Sequence, residues 1–270
     1  MIGFFDSGLG GLTILKEVVK KLPDYSYVYL GDNARTPYGS KSQDLIYKYT
    51  LEGVQELFKR GAVLVVLACN TASSVALRKI QQEFLPKHYP SRKVLGIIIP
   101  TTEEISKFSE TKNIGILATE ATIKSMAYAK EINKIFAGIK VFQQACPLLV
   151  PIMEAGEKDW EGTDMAIEMY LSELFAKCKD IDTIILGCTH YSLIEDKIKK
   201  YLPSGVKIIL QGEIIADKLS DYLKRHHEIK NKIDKTGKRI FLTTENSENT
   251  KKLFEMFFGG VVNVEKIDLS

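Results

Sequence analysis

Leu64-Val65-Val66-Leu67-Ala68-Cys69-Asn70-Thr71 and Thr183-Ile184-Ile185-Leu186-Gly187-Cys188-Thr189-His190 follow one plan. In each, an apolar run of strand length meets a small residue, then a cysteine, then two polar residues. A helix-like stretch follows and runs to a proline, Pro86 in the first copy and Pro203 in the second. A short apolar run feeding a helical pattern is the sequence form of a βα unit. Two such runs with the same punctuation predict a duplicated βα unit.

Working outward, short runs rich in isoleucine, valine and leucine recur between longer amphipathic stretches. They predict strands over Ile2–Phe5, Tyr25–Leu30, Val63–Ala68, Lys93–Ile98, Asn113–Leu117, Lys140–Gln143, Thr183–Leu186, Val206–Leu210 and Arg239–Thr243. The segment Ser42 to Arg60 sets Leu45, Tyr49, Val54, Leu57 and Phe58 near helical spacing and closes on Gly61, as helices often do. Strands alternating with helices imply an α/β fold of parallel sheets with helices on both faces. The chain of 270 residues has room for two compact lobes.

Apolar residues make up 45% of the chain and charged residues 26%, the ordinary balance of a globular protein with a core. The 37 basic and 34 acidic residues are interspersed, which gives no reason to expect nucleic acid. The start, Met1-Ile2-Gly3-Phe4-Phe5-Asp6, shows no secretory pattern. The longest apolar runs, Ala62 to Cys69 and Gly96 to Pro100, fall far short of the roughly 20 residues that cross a bilayer. A cytoplasmic protein with four free cysteines is the expectation. No cysteine spacing suits zinc. His226 and His227, among Lys224, Arg225, Glu228 and Lys230, read as a solvated surface patch rather than a metal site.

Ligands in open α/β sheets bind beyond the carboxyl ends of the strands, where helix N-termini present unpaired N–H groups. Cys69 and Cys188 both fall there. A helix N-terminus favours thiolate over thiol, and His190, two residues past Cys188, can assist when protonated. Cysteine also ends core strands with no chemical role. Matched placement in two repeated turns argues for function at Cys69 and Cys188, whereas Cys146 and Cys178 lack that context and read as packing residues. Two opposed thiols suit inversion at a chiral carbon: one removes a proton from one face, the other delivers a proton to the opposite face. A thiol, with an ordinary pKa of about 8.5, serves in either sense.

Asp6-Ser7-Gly8-Leu9-Gly10-Gly11-Leu12 is a glycine loop passing from strand to helix, a usual setting for anions. The third glycine of a dinucleotide fingerprint is replaced by Thr13, and no phosphate-loop lysine follows, so neither nucleotide motif applies. Asp6 is a candidate to orient a thiol or bind a substrate ammonium, and Ser7 a candidate hydrogen-bond partner. The loops Asp32 to Gly39 and Thr119 to Thr122 are similarly placed, although threonines there also make good helix caps.

The run Asp6 to Leu12, the turn Pro37-Tyr38-Gly39, Cys69-Asn70-Thr71-Ala72-Ser73 and Cys188-Thr189-His190-Tyr191 resemble, in order and over nearly the whole chain, the signature segments of the glutamate racemase family. The resemblance implies interconversion of L- and D-glutamate without cofactor or metal, supplying D-glutamate for peptidoglycan. It implies two flavodoxin-like, pseudo-symmetric lobes, one from residues 1–95 plus 206–270 and one from 96–205, with the site in the cleft between them, and a homodimer. By position, Cys69 would take the proton of D-glutamate and Cys188 that of L-glutamate, with Asp6 and His190 assisting. Asn70, Thr71 and Thr189 would hold carboxylates, Ser7, Tyr38, Gly39 and Thr119 would complete the pocket, and Asp32 and Glu154 are further candidates. Ser192 stands where the family commonly has proline, which puts the helix start there in question. Three other readings stay open: an aspartate racemase of the same superfamily, a non-catalytic binder of acidic amino acids, and a thiol hydrolase built on Cys188 and His190 that would leave Cys69 idle.

Overall fold

In the computed structural model, which describes residues 1–245 and 247–269, two parallel sheets carry the chain. The first holds β1 (Ile2–Asp6), β2 (Tyr27–Gly31), β3 (Leu64–Leu67), β4 (Lys93–Gly96), β9 (Arg239–Thr243) and β10 (Val264–Lys266) in the order β10-β9-β2-β1-β3-β4. The second holds β5 (Asn113–Ala118), β6 (Lys140–Ala145), β7 (Thr183–Gly187) and β8 (Lys207–Ile209) in the order β6-β5-β7-β8. All pairings are parallel. The first four strands of each half are thus arranged 2-1-3-4, a flavodoxin-like order. β3 and β7 occupy equivalent third positions, and each leads to its cysteine. The repeat read from sequence is a repeat of topology.

Alternation along the strands explains the burial on both faces. Ile2 and Phe4 of β1 and Leu64 and Val66 of β3 join one apolar cluster, while Phe5, Val65 and Leu67 join the cluster on the other face. In the second sheet Ile184 and Leu186 pack to one side and Ile185 to the other. A side-chain period of two, with helices on both sides, makes each strand apolar throughout. The predicted helix at Ser42 to Arg60 runs Gln43–Lys59; the Ser42 hydroxyl accepts from Leu45 N, and Gly61 ends it at φ +90°, where a residue without a Cβ is unstrained.

The structure corrects three expectations. The strand predicted at Val206–Leu210 pairs with β7 through Lys207–Ile209, so the return to the first sheet falls after β8, at the helix Gln211–Arg225, and not at 206. The helical run after Cys69 does not stop at Pro86. A π turn over Ile80–Phe84 shifts the register, and Pro86 sits in the first turn of the next segment, Leu85–His88, where its missing N–H costs no bond. After Cys188 comes a 3-10 segment, Thr189–Ile194, before the helix Glu195–Lys200. Ser192 lies inside that 3-10 segment and donates to Thr189 O at 2.8 Å, so Cys188 does not stand at an α-helical N-terminus.

Candidate active site

The carboxyl ends of β1 and β3 meet at the point where the strand order of the first sheet reverses, and those of β5 and β7 do the same in the second. The two switch points face each other. Ser7, Tyr38, Gly39, Cys69, Asn70 and Thr71 from the first half, and Thr119, Cys188, Thr189 and His190 from the second, line one small space of about 10 Å³. Pro37 and Val150 complete its wall. A larger cavity of about 600 Å³, bounded by Thr13, Glu17 and Gln211, reaches Cys188 and Thr189 from outside. Of the residues singled out in sequence, Asp6, Asp32 and Glu154 do not line the inner space; Asp32 and Glu154 each bond to a residue that does, Tyr38 and His190.

Cys69 caps the helix Asn70–Val75: its Sγ accepts from Ala72 N at 3.4 Å and lies 3.3 Å from Ser7 Oγ. These bonds favour thiolate, yet burial, reinforced by the nearby Asp6 carboxylate, pushes the thiol up to about 12. The expectation that a helix N-terminus would make this thiol acidic is therefore outweighed here by desolvation. Asp6 is itself fully buried. Its Oδ2 accepts from Gly11 N at 3.0 Å, while Oδ1 has no partner, and burial raises its carboxyl above the usual range.

Cys188 has different company. Its Sγ lies 3.8 Å from His190 Nδ1, and His190 Nε2 lies 2.5 Å from Glu154 Oε1. Burial disfavours the imidazolium, but the bonds to Cys188 and Glu154 overcome it and raise His190 well above its ordinary range. Phe257 sets its ring edge-on to His190 at 5.3 Å. The glycine loop allows this approach: a Cβ on Gly10 would collide with His190 and the Thr189 hydroxyl, and one on Gly8 with the Glu154 carboxylate.

Asp32 organises the neighbouring turn. Its carboxylate accepts from Tyr38 OH, from Arg35 Nε at 2.7 Å and from Thr244 Oγ1 at 2.9 Å. Tyr38 is thus held by Asp32, and Gly39 lets that turn press on Thr119. Thr119 is indeed a helix cap, taking Thr122 N at 3.4 Å, and its hydroxyl is also 2.8 Å from that of Thr71. Together these hydroxyls make a polar floor across the two halves. Cys146 is buried in the second sheet's core and Cys178 packs at its edge. His226 pairs with Glu228 at the surface. Among the described residues, no group of three or more His, Cys, Asp or Glu is placed to hold a metal ion, and no helix is long and apolar enough to cross a membrane.

Pro37 belongs to the turn Pro37-Tyr38-Gly39 already singled out in sequence, whereas Val150 is an apolar wall residue with no chemical signal and Phe257 lies 67 positions after His190 in a terminal helix.

The sequence profile of a family described as Asp/Glu/Hydantoin racemase matches residues 11–219. The chain is 40% identical over 270 residues to the glutamate racemase of Persephonella marina, covering 100% of this chain and 97% of that one. Its structure is similar to that of a glutamate racemase isoform from Bacillus anthracis, with a TM-score of 0.89 at 33% identity over 100% of this chain and 97% of the other. It is also similar to the glutamate racemase of Francisella tularensis in complex with D-glutamate, with a TM-score of 0.87 at 32% identity over 99% and 97%.

Proposed function

The chain belongs to the Asp/Glu/hydantoin racemase family, among its glutamate racemases, and from that premise we propose that it interconverts L- and D-glutamate with Cys69 and Cys188 as paired acid and base. The observation that supports this most is the equivalence of the two thiols: matched strand ends of two identically ordered half-sheets put them on one space. One thiolate takes the Cα proton, and the other thiol gives its proton to the opposite face of the planar carbanion. By family resemblance Cys188 serves L-glutamate and Cys69 D-glutamate. The hydroxyls of Ser7, Thr71, Thr119 and Thr189, with Asn70, Tyr38 and Gly39, would hold the substrate's carboxylates and ammonium. A buried, hydroxyl-lined space strengthens such bonds.

A space of about 10 Å³ is at most one water across, so glutamate enters by parting the two halves and is enclosed when they close. Closure then expels water from the carbanion. The same resemblance leads us to place the enzyme in the cytoplasm as a homodimer supplying D-glutamate for peptidoglycan, with no cofactor. Following optical rotation with L-glutamate and L-aspartate as separate substrates tests the reading. Racemisation of glutamate at a higher kcat/KM is expected; preference for aspartate would make it an aspartate racemase, and rotation unchanged with both would leave only a binder.

A further inference from the structure

A run of buried polar side chains starts at the crossover from the first sheet to the second and ends beside Cys69. Thr101 Oγ1 donates to Ile97 O at 2.6 Å, which uses the only proton of that hydroxyl. The Gln211 atom 2.9 Å from Thr101 Oγ1 must then be the donor, Nε2. That choice turns Gln211 Oε1 toward Asn70, whose Nδ2 donates to it at 2.6 Å. Asn70 Oδ1 in turn accepts from Tyr128 OH at 2.6 Å and from Gln211 Nε2 at 3.3 Å, while Tyr128 OH accepts from Gln211 Nε2 at 2.9 Å. Amide orientation is settled by such networks, and here one backbone carbonyl sets the polarity of the whole run.

Asn70, Thr101, Tyr128 and Gln211 are all buried, so losing one of these partners is costly. Asn70 Oδ1 is held by the Tyr128 hydroxyl and one Nδ2 proton is committed to Gln211, while the two Gln211 Nε2 protons serve Thr101 and Tyr128 at 2.9 Å and reach Asn70 Oδ1 only as a shared contact at 3.3 Å. Asn70 lines the space between the thiols. Its uncommitted Nδ2 proton is the donor it can offer there.

We propose that Gln211, with Tyr128 and Thr101 behind it, is a positioning residue that fixes the amide orientation of Asn70, with Oδ1 tied to Tyr128 and an Nδ2 proton left for the cleft, favouring a substrate carboxylate over an ammonium at that spot. Gln211 is the first residue of the helix that returns the chain to the first sheet, so the same side chain ties the second crossover to the Cys69 turn. The proposal rests on the reading that the cleft racemises glutamate.

Steady-state kinetics with Gln211→Met, which keeps length but removes the amide, is the test. KM for glutamate should rise by about tenfold, the worth of one lost bond to a charged group, with kcat changed less. Tyr128→Phe, a gentler change that leaves Asn70 Oδ1 short of a donor, should raise KM in the same sense and decides the matter by itself if Gln211→Met does not fold. In an Asn70→Ala background, Gln211→Met should add nothing. KM held within a factor of about two in the single variants, or an undiminished increment in the Asn70→Ala background, would overturn the proposal. If the unaltered chain racemises glutamate while these variants leave KM alone, only the positioning role falls; if it does not racemise glutamate, the functional reading falls first.

Discussion

The two thiol turns share a strand, a small residue, a cysteine and a threonine-rich start, yet their surroundings are opposite in charge. Cys69 sits against a buried carboxylate, Asp6, and its pKa is pushed up to about 12. Cys188 sits 3.8 Å from His190, whose proton is held by Glu154 from the far side. A cation beside Sγ is a counter-charge for a thiolate. Duplication supplied two equivalent positions, and the neighbours from non-equivalent segments, Glu154 and Asp6, made them different. The two enantiomers of glutamate have equal free energy, so kcat/KM must be the same in both directions, and this difference can appear only in kcat and KM taken separately.

Removing either thiol should break the comparison outright. Cys69→Ala and Cys188→Ala should each lower the racemisation rate by about a thousandfold or more, the scale of lost acid–base catalysis; full activity in either would end the paired mechanism. Next in size is Glu154→Gln. Glu154 raises the His190 pKa and burial lowers it, so the variant's imidazole becomes neutral as pH rises through a lower value than before. Activity near neutral pH should fall by roughly tenfold or more, one pKa unit being about 1.4 kcal/mol. The loss should shrink as pH is lowered, and a loss independent of pH would contradict the counter-ion role. Smaller still is Ser7→Ala. The Ser7 hydroxyl lowers the Cys69 pKa, so its removal raises that pKa, and the rate at neutral pH should fall by up to about tenfold, the worth of one hydrogen bond. Here the deficit should close as pH increases, the opposite sense to Glu154→Gln.

Ser192→Pro is expected to do least. The Ser192 hydroxyl bonds to Thr189 O early in a 3-10 turn, and exchanging the residue for proline should move unfolding free energy by no more than about 1 kcal/mol, measured by urea denaturation.

Nine of the ten strands among the described residues are legible in the sequence, because parallel strands buried on both faces are near-continuous apolar runs. β10 was missed: Val264-Glu265-Lys266 is a three-residue edge with two charges and has no apolar run to find. The sheet to which β8 belongs was also not legible, since Val206 to Leu210 reads as a strand wherever it pairs. At the site, the cysteines and their following residues were visible because the repeat juxtaposes them in sequence. Gln211 was not, because its partners Thr101, Tyr128 and Asn70 lie 110, 83 and 141 positions away, and a glutamine opening a helix carries no local mark of such bonds. Glu154 drew attention only through family resemblance; its hold on His190 crosses 36 positions.

The opposed-thiol account is tested most directly by racemising L-glutamate in deuterated water and analysing both enantiomers at low conversion by mass spectrometry. A thiol that removes the proton from one face and a different, solvent-exchanged thiol that delivers to the other predict D-glutamate carrying one deuterium at Cα and recovered L-glutamate carrying none. D-Glutamate that keeps the original proton, or deuterium entering recovered L-glutamate as fast as product forms, would contradict it.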